Sequence, residues 1–155
     1  MKIVKKNTMD CILFVFKDVT YLLPTVAFAE LGVKGDIELF QDKPLVGLMS
    51  WRGFHLPVVA PDLSEENLDI NKSNYAVLNA LFANKSLVPY IGLVIDRHPL
   101  RLKVKPQDIS WTDEEKKMAL YTKEGSLPKE IVILDLQKLS DIVENATSHK
   151  SPYNP

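Results

Sequence analysis

Apolar residues fall in short blocks separated by turn residues, and most blocks carry a strand period rather than a helical one. Cys11 to Phe16 (CILFVF) is rich in β-branched and aromatic residues and reads as a buried strand. Lys17-Asp18 is a turn signal, and Thr20 to Leu23 resumes as a second strand stopped by Pro24. Val26, Phe28 and Glu30-Leu31 suggest a third by alternation. Gly32 and Gly35 then loosen a loop carrying Asp36, Glu38, Gln41 and Asp42. Val46 to Asp62 (VGLMSWRGFHLPVVAPD) is the organising stretch: two strands folded about a corner at Trp51-Arg52-Gly53, with Gly53 supplying the backbone freedom. Pro57 and Pro61 limit ladder donation, which predicts a hairpin at a sheet edge or barrel rim.

Residues 63–71 are polar, with Ser64 able to cap a short helix, and read as a surface connector. A boundary between two lobes is expected near 63–72. Tyr75 to Phe82 reads as a strand, and Leu87 to Ile95 as a strand pair or one bent strand. Leu100, Leu102 and Val104 alternate with charged residues as a half-buried strand. Thr112 to Glu115 matches a capping box, predicting a short helix over 113–118. Ala119 to Tyr121 is expected to pair with Glu130 to Leu134. Asp135 then caps a helix whose apolar face is Leu136, Leu139, Ile142, Val143 and Ala146. The domain spans 10–146, with 1–9 and 147–155 as flexible tails. About ten short strands and one closing helix argue for an all-β fold of small barrels or a sandwich. Shifting the chain by about 45 residues aligns Gly47, Leu48, Arg52, Val59 and Pro61 with Gly92, Leu93, Arg97, Val104 and Pro106, as two lobes sharing one hairpin would.

Composition narrows the class. At 155 residues, 46% of them apolar, the chain is one domain or two small lobes with a real core. A net charge of −1 gives no electrostatic case for nucleic acid or an anionic membrane. A single cysteine, Cys11, excludes an intrachain disulfide, fits a reducing compartment, and reads as a small buried hydrophobe. No stretch reaches membrane-spanning length or reads as a targeting segment, so a soluble cytoplasmic protein is expected.

Candidate chemistry is sparse. The chain has no P-loop, GxGxxG, CxxC, HExxH or GxSxG. His55, His98 and His149 have no ligand spacing among them, so neither metal nor cofactor is expected. Asp96 and His98 share a strand face and could form a proton-transfer pair in a small enzyme, but the end of a strand turning through Pro99 explains them better. The acidic group at 113–115, followed by Lys116-Lys117, reads as a solvated helix face. Trp51 and Arg52 sit at a turn where packing does not demand them. They are the residue types enriched at binding hot spots, which makes Trp51, Arg52, Gly53 and the neighbouring His55 a protein-interaction site rather than a catalytic one.

The ordered set of segments resembles the CheW family, the coupling proteins of bacterial chemosensory arrays. CILFVFKDVTYLLP looks like the family's first hairpin. GLMSWRGFHLPVVAPDL is similar to its Asn-Leu-Arg-Gly segment followed by a proline-bearing strand. GLVIDRHPLRLKV resembles its Val-Asp-Arg-Val strand pair, and EIVILDLQKLSDIV its closing strand and helix. Departures fall at the tip, where Ser50-Trp51 replaces Asn-Leu, at Ala60-Pro61 before Asp62, and at His98-Pro99 after Asp-Arg. The resemblance implies two Src-homology-3-like barrels of five strands each with a C-terminal helix, and a non-catalytic adaptor without cofactor. One surface would meet the regulatory domain of a CheA-type histidine kinase and another the cytoplasmic tip of a chemoreceptor. Through these partners the protein would join membrane-bound receptor arrays. Arg52 matches the family's turn arginine at the receptor-facing end, and Gly53 its glycine. The diverged tip leaves two variants open: a coupler for a type IV pilus or twitching system, and a degenerate module that binds a kinase but no receptor.

Overall fold

The computed structural model describes residues 8–34, 37–40, 45–62, 74–96, 99–105, 109–111, 117–120 and 129–149. Among them are two six-stranded sheets and a C-terminal helix, an all-β fold. The first sheet has the order β10-β11-β12-β2-β1-β9, with β1 at Met9–Phe16, β2 at Val19–Pro24, β9 at Leu100–Val104, β10 at Ile109–Trp111, β11 at Lys117–Leu120 and β12 at Lys129–Ile133. The second has the order β3-β7-β8-β6-β5-β4, with β3 at Phe28–Val33, β4 at Ile37–Leu39, β5 at Leu45–Trp51, β6 at Phe54–Val59, β7 at Asn74–Asn79 and β8 at Tyr90–Ile95. A turn of 3₁₀ helix, Thr25–Ala27, carries the chain from one sheet to the other.

Two hairpins set the register. In the first, Lys17 and Asp18 both adopt positive φ (46° and 65°), the primed geometry that matches strand twist, and Phe16 lies opposite Val19. In the second, Arg52 (φ 46°) and Gly53 (φ 80°) turn β5 into β6, with Trp51 opposite Phe54.

Strand alternation gives the β1–β2 ribbon two buried faces. Phe14, Phe16, Tyr21 and Leu23 enter the main core with Met49, Leu56, Val58, Leu78, Ile91 and Leu93 of the second sheet. Cys11 and Leu22 face the other way, into a smaller core with Val104 and Ile131. The ribbon is thus a wall shared by both cores. The Phe14 ring stacks on Tyr21 at 5.5 Å and meets Phe28 edge-on at 6.0 Å. Cys11 is a free, buried thiol, as expected, and burial with the neighbouring Asp10 pushes its pKa up.

Helix α1, Leu136–His149, follows Asp135, whose Oδ1 accepts from Lys138 N at 3.0 Å. Leu139 and Val143 enter the main core, while its polar residues hold the β7–β8 connection. Leu81 N donates to Ser140 Oγ at 2.9 Å, and Glu144 accepts from Ala83 N and Asn84 N at 3.0 and 2.6 Å. The helix runs to His149 and Thr147 is buried, so residues 147–149, expected in a tail, belong to the helix, and residues 150–155 lie outside the described residues.

Several expectations change. The β5–β6 hairpin lies inside the second sheet, not at its edge: β8 pairs with β6 through Val58 and Val59 only, and Pro57 escapes conflict because it precedes that ladder. The loop expected after Gly32 holds β4, a short edge strand on β5. The helix expected over 113–118 gives way at its end to β11, which begins at Lys117, and residues 113–116 lie outside the described residues. Strand β10 had no sequence signal. Leu87 and Val88 precede β8 rather than forming a strand, and Leu100 is 61% exposed despite its alternation. The two segments of the proposed repeat differ: β5 and β6 are a hairpin in one sheet, whereas β8 and β9 belong to different sheets. The boundary expected near 63–72 falls wholly on residues outside those described.

Candidate protein-interaction site

The hairpin tip is built inward-out. Trp51 closes β5 opposite Phe54, and the alternation of β5 directs its indole into the fold, where it is 8% exposed. Tyr90, the first residue of β8, meets the Trp51 ring edge-on at 5.0 Å and Phe54 at 5.7 Å. Phe54 stacks on Trp51 at 6.4 Å yet stays 40% exposed. The three rings form a cluster with an apolar outer shoulder.

The polar end of the indole is satisfied from a distant strand. Trp51 Nε1 donates to Glu30 Oε2 on β3, and Arg52 Nη2 meets Glu30 Oε1 at 3.3 Å. The Arg52 guanidinium lies 5.0 Å from the Trp51 ring centre, in cation–π range. In the strand order β3 and β5 are four steps apart, which would separate them by about 19 Å in a flat sheet. The hydrogen bond therefore requires the second sheet to curl until β3 faces the end of β5. Trp51 and Glu30 bridge the facing strands.

Of the residues expected at this site, Trp51 is the floor, Gly53 supplies the turn, and Arg52 and His55 are exposed. Ser50 Oγ lies 3.5 Å from His55 Nδ1, across the ladder. Glu30, Phe54 and Tyr90 were not anticipated. Strict alternation gave no signal for Glu30, because β3 carries register shifts between Phe28 and Glu30 and between Glu30 and Val33.

The Asp96 carboxylate is engaged elsewhere. Its Oδ2 accepts from Lys17 N at 2.6 Å, and its own N–H donates to Val15 O at 2.8 Å. It braces the first hairpin's turn against the end of β8. His98 lies outside the described residues, and the His149 side chain is likewise not described. Among the described residues, no group of three or more His, Cys, Asp or Glu is placed to hold a metal, and no helix is long and apolar enough to cross a membrane.

No family model and no curated protein matches the sequence. Among solved structures, the crystal structure of scaffolding protein TtCheW from Thermoanaerobacter tengcongensis is similar, with a TM-score of 0.62 over 84% of this chain and 91% of that one, at 16% identity. The fold is CheW-like. At this identity the likeness is one of fold, and a fold of this kind leaves function to be argued from the site.

Proposed function

We propose that this CheW-like chain is a non-catalytic adaptor that couples chemoreceptors to a CheA-type histidine kinase. The observation that carries the reading is the match in fold, over 84% of this chain and 91% of the other, to a scaffolding protein. The hairpin tip supports it locally: a cation and an aromatic ring stand outward on a turn whose floor is pinned, the arrangement of an interaction hot spot. The receptor tip would dock on Arg52, Phe54 and His55, with Trp51 and Gly53 shaping the turn beneath, and the kinase regulatory domain would take a separate surface. Signal would pass by differential binding, each partner favouring one arrangement of the assembly.

The test is affinity capture from the source cell with cross-linking and mass spectrometry, wild type beside Arg52→Ala. A CheA-like kinase and receptor tips should be recovered with wild type. Receptors should be lost with Arg52→Ala, a weakening of about 1–3 kcal/mol. Kinase recovered equally in both, without receptors, would replace the coupler with a kinase-only module. Recovery of neither would sink the adaptor reading.

A further inference from the structure

Away from the hairpin tip, the ladder between β1 and β9 borders an open groove of about 430 Å³, lined by Asp10, Cys11, Thr25, Arg101, Leu102 and Lys103. We propose that this groove binds a small acidic α-amino acid, a ligand with two carboxylates and one ammonium group. The placement of Arg101 and Lys103 beside Asp10 and Thr25 carries the proposal, which does not depend on the adaptor reading.

Register brings the charges together. Lys103 lies directly opposite Asp10, and Arg101 opposite Ile12, so strand alternation places Asp10, Arg101 and Lys103 on one face. Cys11 and Leu102, the ladder pair between them, complete that side of the lining. Thr25, where the chain leaves the first sheet for the second, adds a hydroxyl. Opposite charges directly across a ladder ordinarily attract and pair. Here they do not: among the described residues, none of the side chains of Asp10, Thr25, Arg101 and Lys103 has a hydrogen bond or an ion pair. Two cations and one anion thus stand unmatched around a space within the usual size of small-molecule sites, roughly 300–1,000 Å³. The complement of that set carries the opposite signs: two anionic groups for Arg101 and Lys103, and one cationic group for Asp10. A bare dianion would set like charge against Asp10, and a neutral zwitterion would leave one cation unmatched. Because the three charged side chains are exposed, the affinity should be weak, in the millimolar range.

The full chain is titrated with L-glutamate at constant ionic strength while the backbone amides of the lining residues and the Arg101 Nε–H are followed by NMR. Glutarate, which lacks the ammonium group, and L-glutamine, which lacks the second carboxylate, are the comparators. Inorganic phosphate tests for a plain anion site. Glutamate should give saturable shifts centred on Asp10, Thr25, Arg101 and Lys103, and the other three ligands should bind about two- to fivefold more weakly. Arg101→Gln and Lys103→Gln should each weaken glutamate by a similar factor. Asp10→Asn should act with opposite signs, weakening glutamate and tightening glutarate, whereas a merely structural role for Asp10 would move both ligands the same way. Asp10, Arg101 and Lys103 are exposed, so the variants should keep the fold, and unshifted amides in β7 and β8 check this. If a variant folds poorly, the ranking of the four ligands on the wild type decides alone. Glutamate shifts that do not saturate, or glutarate, glutamine or phosphate binding as tightly as glutamate, overturn the proposal. An Asp10→Asn effect of one sign on both ligands does the same.

Discussion

Trp51 holds three things at once: the aromatic cluster with Tyr90 and Phe54, the Glu30 carboxylate, and the Arg52 guanidinium. These roles separate by substitution. Trp51→Phe keeps a ring under Arg52 but drops the indole N–H, and should cost about 1–3 kcal/mol because a charged acceptor loses its donor. Trp51→Ala also empties the cluster and should cost about 3–5 kcal/mol. Chemical denaturation of the two variants checks both figures, and equal losses would mean that the ring packing contributes nothing beyond the hydrogen bond. That a tryptophan and an arginine at a turn make a candidate interaction tip was legible from residue type alone. That the tryptophan faces inward was not, because a hairpin's last strand residue can be directed either way until the register with its partner is fixed.

At the scale of elements, two glycines show why these strands lie where they do. A Cβ on Gly47 would collide with the backbone carbonyl of Glu38, so β4 can approach β5 only against glycine. Gly47→Ala should displace β4, exposing the amides of Ile37–Leu39 to hydrogen exchange, with a loss of about 1–3 kcal/mol. A Cβ on Gly92 would stand 2.8 Å from Val58 Cγ2 and 3.3 Å from Met49 Cε, both in the main core. Gly92→Ala should therefore destabilise by overpacking while leaving β4 protected, and exchange data on the two variants distinguish the mechanisms. The β4 strand was hidden in the sequence because its short, charge-bearing run between glycines reads as loop, and pairing with β5 overrides that propensity. Strand β11 won its first residues from an expected helix for a similar reason: a capping-box pattern is local, and the ladder with β12 is not.

At the scale of the molecule, the β1–β2 ribbon joins the two cores, so its buried titratable groups report on the whole fold. Burial, together with the charge of Asp62, pushes the Tyr21 phenol of the ribbon up, and burial does the same for Tyr75 on β7, in the main core. The folded state therefore holds these protons more tightly than the unfolded chain does. The resulting stability is present below the ordinary tyrosine value of 10.0 and is lost as pH rises through the folded values. Denaturation midpoints should fall as pH rises above about 10, and Tyr21→Phe with Tyr75→Phe should flatten that fall. An unchanged slope would locate the alkaline sensitivity elsewhere. Among the described residues, four of the ten strand pairings join strands that are not consecutive, as in β1 with β9 and β12 with β2, so folding should be slow for a chain of this length.

The sequence by itself determined the all-β class, both tight hairpins, the buried Cys11, and the capped helix with its apolar face, because each follows from local periodicity, turn chemistry or side-chain type. Tertiary structure alone decided which strands share a sheet. It split the apparent repeat, since β8 and β9 diverge into different sheets, and it moved the proline-bearing hairpin from the edge to the interior. It also made the candidate site, by curling β3 round to the end of β5 until Glu30 meets Trp51 and Arg52. Residues 21 positions apart have no local signal that they will meet. Only the curl of the sheet, driven by burial of the core, brings them together.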